Sequence, residues 1–162
     1  MYLKSPDTAR PSHYREAWWE PESKDFIIHH GKVGEIGSTE VETVTDPHEV
    51  DTLLASFEEQ NRQDGFRDIE DISHESFTVV IKQKGNAPSA VEETNAEKFL
   101  ASYTALLAWR GLGTVEEWNS QPGEGRFVFH VSTVHRNKAA KLAAEALKKT
   151  DFRADRMSVE RN

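Results

Sequence analysis

The order of residues predicts an α+β fold: a small antiparallel β-sheet with one helix, followed by a β-α-β-β-α-β unit. Three observations carry that prediction. Strand-like alternation gives way to helical spacing at two capping signals, glycine and proline turns separate the strands, and a polar acidic stretch, Glu70 to Glu75, divides two segments of different character. The expected organisation is an arm over residues 1–12, a first domain over 13–73 and a second over 74–162.

Met1 to Ser12 holds two prolines and no periodicity, so it reads as a loosely held arm. From His13 the pattern becomes a strand, Tyr14-Arg15-Glu16-Ala17-Trp18-Trp19, then a turn at Pro21 to Lys24 and a second strand over Asp25 to His30. Gly31, Gly34 and Gly37 punctuate the loop that follows, which implies a sharp turn or a close approach that a Cβ would obstruct. Ser38 to Val44 alternates Thr39, Val41 and Thr43 with Glu40, Glu42 and Val44, as a third strand does. Asp46-Pro47-His48-Glu49 starts a helix, with Asp46 as cap, Pro47 at the first helical position and Glu49 at capping-box spacing. Val50, Leu53, Leu54 and Phe57 share one helical face, and Asp64-Gly65 ends the element. Phe66 to Ile69 is a short return segment.

In the second segment Phe77 to Ile81 is a strand rich in β-branched residues. The box Thr94-Asn95-Ala96-Glu97 predicts the start of a helix with Phe99, Leu100, Tyr103, Leu106 and Leu107 on its apolar face, closed by Gly111. Thr114 to Asn119 and Arg126 to Ser132 form a hairpin around Gln121-Pro122-Gly123-Glu124-Gly125. A helix over His135 to Lys149 follows, then a strand over Phe152 to Glu160 in which Met157 and Val159 fall out of phase with Phe152 and Ala154, predicting a bulge or bend. This order resembles that of ferredoxin-like domains, in which two crossovers lay both helices on one face of a four-stranded sheet. The other face is then expected to be open, to a second module, a second chain or a ligand.

Charge narrows the function. Met1 to Ser73 carries 7 Lys and Arg against 17 Asp and Glu, a balance of −10, and the remainder carries 13 against 11, or +2, together the −8 of the chain. A nucleic-acid surface usually presents a basic stripe, so this distribution disfavours general binding to duplexes. No cysteine is present, which removes disulfides, thiolate catalysis and cysteine-ligated metal. With no apolar run of membrane length and no apolar core in MYLKSPDTARPSHY, a cytoplasmic location without membrane contact is expected.

The apolar strand running into His30-Gly31-Lys32-Val33-Gly34-Glu35-Ile36-Gly37, the alternating strand, the helix and then Asp64-Gly65-Phe66 give the segment from His13 to Asp71 a specific order. That order resembles the WGR (Trp-Gly-Arg) domain, a module of poly(ADP-ribose) polymerases and of many bacterial proteins. The resemblance implies that the aromatic and basic signature positions lie at the exposed end of the sheet, a surface that in the polymerases helps to bind broken DNA ends and contacts neighbouring domains. Here His30 stands at the tryptophan position and Lys32 at the arginine position. Lysine keeps the charge but loses the bidentate fork that suits phosphate.

His29 and His30 are adjacent on a strand and point to opposite faces, so they cannot share a metal. Trp18 and Trp19 likewise alternate, and one of them is expected outside the core as an interface anchor. His130 and His135 flank a helix start without a visible third partner, and the acidic residues Glu58, Glu59, Asp64, Asp68, Glu70 and Asp71 lack the spacing of a calcium loop. No phosphate loop, serine elbow or zinc helix motif is present. The expected role is therefore a non-enzymatic interaction module that docks an unidentified protein partner, with no catalytic residue, metal ligand or cofactor. Its expected binding residues are Trp19, His30, Gly31, Lys32, Gly34 and Gly37. Two alternatives stay open: DNA-end binding through His30, Lys32 and nearby Lys24 or Arg15, and small-molecule binding or hydrolysis around His130, His135 and the open sheet face. A homodimer is compatible with an open sheet face.

Overall fold

The computed structural model describes residues 1–6 and 10–161; Asp7 to Ala9 of the expected arm lie outside the described residues. The protein is α+β, the described residues forming three α-helices and two antiparallel sheets, and the chain divides into two compact units, Met1–Ser73 and His74–Asn162.

The sheet of the first unit has five strands where the sequence predicts three. Strands β1 (Tyr2–Lys4), β2 (His13–Glu20), β3 (Asp25–Lys32), β4 (Ser38–Thr43) and β5 (Arg67–Asp68) lie in the order β4-β3-β2-β1-β5. The expected arm is thus a strand at its start. Leu3 pairs with Tyr14 on one side and Arg67 on the other and is buried, so the partners that hold this tripeptide are remote in sequence. Three residues are too few to show alternation, and the short return segment is the other half of the same pairing.

Helix α1 (Pro47–Gln63) starts as its sequence predicts, with the Asp46 carboxylate accepting from the His48 amide. It covers one face of the sheet. Phe26, Val44 and Val50 form the core there, with Ala17, Trp19, Ile28 and Leu53 packed against them. Each large apolar side chain withdrawn this way contributes about 1.5–3 kcal/mol. Arg15 ties the end of the helix to the sheet: it donates to Asp64 at 2.5 Å and lies over the Phe66 ring at 4.3 Å. The guanidinium bond, with a second from Gln60, holds the Asp64 carboxyl below its ordinary value.

The second sheet, β7 (Gly113–Gln121), β8 (Arg126–Thr133), β6 (Glu75–Lys82) and β9 (Met157–Arg161) in that order, is antiparallel throughout. Helices α2 (Ala90–Trp109) and α3 (Arg136–Leu147) follow β6 and β8, the split βαβ arrangement. Phe77, Val79 and Ile81 of β6 line one face with Phe127, Phe129 and Val131 of β8. Phe99 of α2 meets Phe129 edge-on at 4.8 Å, and Trp118 of β7 stacks on Phe129. The Tyr103 hydroxyl donates to the Ala139 carbonyl at 2.9 Å and so joins the two helices, and burial raises its pKa. On the other face Thr78, Val80 and Val128 are buried on the two central strands, while Ser158 and Glu160 of the edge strand β9 are exposed.

Two boundaries differ from the sequence expectation. Helix α2 begins four residues earlier than Thr94, capped by Ser89 and Glu92 in a reciprocal box. Ser89 to Glu92 and Thr94 to Glu97 have the same spacing, and the earlier box prevails because Glu92 has further partners. It is buried, it accepts from the Lys84 amide at 2.9 Å, and Arg156 donates to it at 2.5 Å. At the C-terminal end, the phase change after Phe152 is a bend, a 3-10 turn over Ala154–Arg156, and the strand begins only at Met157. That turn presents Arg156 to Glu92.

Candidate functional site

The glycine loop is closed on itself by two buried side chains that flank it in the sheet. Register pairs Tyr14 with Gly31 and Glu16 with His29, which places Tyr14, Glu16 and His29 on the face opposite α1. The Tyr14 hydroxyl donates to the Ile36 carbonyl at 2.8 Å, with the Glu35 carbonyl at 3.1 Å and His29 Nε2 at 3.0 Å. His29 Nε2 lies 2.7 Å from the same Ile36 oxygen, and Nδ1 lies 2.8 Å from Glu16 Oε1. Both ring nitrogens therefore face an oxygen that can accept, and the loop carbonyls are spent on Tyr14 and His29.

The glycines are explained by the same contact. A Cβ on Gly31 would stand 2.7 Å from the Gly37 Cα and 3.0 Å from the Tyr14 hydroxyl. On Gly37, where φ is +74°, it would stand 2.3 Å from that hydroxyl and 2.4 Å from the His30 carbonyl oxygen. Gly34 holds the third position of the Lys32 to Glu35 turn. What approaches these glycines so closely is the protein's own tyrosine.

The remaining expected site residues fall in two places. His30 is half-buried on the α1 face and lies 3.2 Å from Glu40 on the neighbouring strand, and Lys32 is exposed beside it in the chain. Trp19 packs on the Phe26, Val44 and Val50 core and donates from Nε1 to the Val44 carbonyl at 3.1 Å, so it is a structural side chain of the helix-covered face. Trp18 is the tryptophan on the opposite face, beside Ile27 and then Val41 in register.

A cleft of about 630 Å³ opens between α1 and the β3–β4 edge. Its floor is apolar: Phe26, Ile28, Leu53 and Phe57. One wall is Ser56 and Gln60 of α1, the other Glu40 and Glu42 of β4. The register explains it. Opposite Ile28 and Phe26, where a strand beneath a helix would normally carry apolar residues, β4 carries Glu40 and Glu42, so the core stops short of the sheet edge. The alternation of β4 is visible in the sequence, but its phase is the reverse of what hydrophobicity suggests: the two glutamates point to the helix side, and Val41 is 59% exposed on the other. This cleft is the feature that sequence reasoning missed. The signal for it was the pair of glutamates, readable only once the pairing with β3 is known.

In the second unit His130 and His135 do not form a common site. His130 leaves β8 on the face away from α2, 3.5 Å from Thr78, whereas His135 occupies the capping position of α3. Among the described residues no group of three or more His, Asp and Glu is placed to hold a metal ion, and no helix is long and apolar enough to cross a membrane. No family model, curated protein or solved structure matches this chain.

Proposed function

We propose that the protein is a non-enzymatic interaction module of WGR type that docks a partner protein in the cleft between α1 and β4. The observation that carries this reading is the cleft itself: an apolar floor walled by two carboxylates on an edge strand, with His30 held by one of them. An apolar floor supplies affinity and a charged rim supplies orientation, the division of labour of protein interfaces. The glycine loop serves this surface from below, since the Tyr14 and His29 bonds fix the end of β3 and the start of β4.

Photo-cross-linking tests it. With a benzoylphenylalanine in place of Ser56 or Gln60, irradiation of cells that make the full chain should yield a discrete protein adduct. The same group in place of the exposed Glu97 on α2 should not. Absence of any adduct from the cleft, or the same adducts from all three positions, contradicts the reading.

A further inference from the structure

The partner segment can be described more closely, on the reading just given. Strand β4 is the outermost strand of its sheet, and all six of its residues are exposed. It contains no proline or glycine, and Thr39, Val41 and Thr43 are β-branched, so its outer edge can accept another strand. Two features decide which strand.

The first is charge. Glu40 and Glu42 lie on one face of the strand, within a unit whose balance is −10. Pairing with a second copy of β4 would set these carboxylates beside their own counterparts, and like charges on neighbouring strands repel, whereas Lys or Arg there is attracted. The second is the apolar content on both sides of the glutamates. On their own face lies the cleft floor of Phe26, Ile28 and Leu53; on the opposite face Val41 continues a cross-strand row through Ile27 to Trp18. A strand laid about 4.8 Å beyond β4 would place alternate side chains beside Glu40 and Glu42 and the others beside Val41. Long basic side chains suit the first set, because their heads reach the Glu40 and Glu42 carboxylates on the neighbouring strand. Apolar β-branched side chains suit the second.

We infer that β4 receives an extended segment of the partner in which basic and β-branched apolar residues alternate, added as a sixth strand with its basic side chains beside Glu40 and Glu42. The probe is a fluorescein-labelled heptapeptide of alternating lysine and valine, titrated against the full chain. Saturable binding is expected, weakening about tenfold or more between roughly 50 and 500 mM NaCl. The doubly substituted Glu40→Lys/Glu42→Lys chain, checked for its fold by circular dichroism, should bind about tenfold more weakly or worse. Two further peptides, N-methylated at one alternate set of residues or the other, keep the charge but block main-chain bonding in one phase. One of them should lose about tenfold in affinity.

Equal binding by all three peptides overturns strand addition while leaving cleft docking intact. So does absence of peptide binding when the cross-links at Ser56 and Gln60 persist. Loss of those cross-links is the separate failure of the docking reading. Concentration-dependent dimers of the unsubstituted chain that exclude the peptide would identify a second copy as the occupant and overturn the inference.

Discussion

Gly37→Ala is expected to destabilise the first unit by about 3 kcal/mol or more, the sum of left-handed backbone strain and overpacking. Strain alone is worth about 1–2 kcal/mol for an L-residue. The added methyl must also displace the Tyr14 hydroxyl, 2.3 Å away, and the His30 carbonyl oxygen, 2.4 Å away. The tyrosine cannot withdraw freely, because it is buried and bonded to Ile36, and the carbonyl belongs to β3 next to its pairing with β4. Gly65→Ala isolates the strain component: φ there is +80° and nothing lies within 4 Å of the added Cβ. It should cost only about 1–2 kcal/mol. Urea unfolding followed by hydrogen exchange of the β2 and β3 amides measures both. Equal losses would mean that the loop is not held against Tyr14.

Removing the Glu92 carboxylate should have a large effect in the second unit, about 3 kcal/mol for Glu92→Ala, because the Ser89 and Lys84 amides lose their acceptor and the part-buried Arg156, which keeps the Lys82 carbonyl, loses its carboxylate. Burial by itself would raise the Glu92 pKa. The bonds from Arg156, from the Ser89 and Lys84 amides and from the Ser89 hydroxyl outweigh it and hold the group at about 2 against an ordinary 4.5. The sign follows: the folded value lies below the unfolded one, so the stabilisation is fully present above pH 4.5 and is lost as pH falls toward 2. The difference corresponds to about 3 kcal/mol. Unfolding midpoints compared between wild type and Glu92→Gln from neutral to acid pH cancel the contribution of the other carboxylates. The two curves should converge below pH 4.5, and parallel curves would show that Glu92 is not held in this way.

Much of the fold was legible because local signals sufficed. Asp46 and Pro47 start α1, Gly123 and Gly125 turn the β7–β8 hairpin, and the α2 positions Phe99, Tyr103 and Leu107 are buried at helical spacing. What stayed hidden depends on partners distant in sequence. Strand β1 exists through Tyr14 and Arg67, and the start of α2 was decided by Arg156, 64 positions away from Glu92. The candidate site divides the same way. His30 and the glycines stood out by composition, yet the side chains that explain the glycines, Tyr14 and His29, are ordinary strand residues until register sets them beside the loop. The acidic wall of the cleft was visible as alternation, and only the pairing of Glu40 with Ile28 and Glu42 with Phe26 gave it a direction.

The sharpest discrimination is between protein docking and the DNA-end binding that the WGR resemblance implies, since His30 of the WGR-like loop lies against Glu40 of the cleft wall. His30 lies 3.2 Å from the Glu40 carboxylate and opposite Arg15 in register, and the unit as a whole is strongly acidic. Fluorescence anisotropy of a labelled, 5′-phosphorylated blunt duplex, titrated with wild type and Lys32→Glu at about 50 mM salt, reads this directly. Protein docking predicts no saturable binding by either chain. Saturable binding by wild type that collapses on Lys32→Glu and falls steeply with added salt would contradict it.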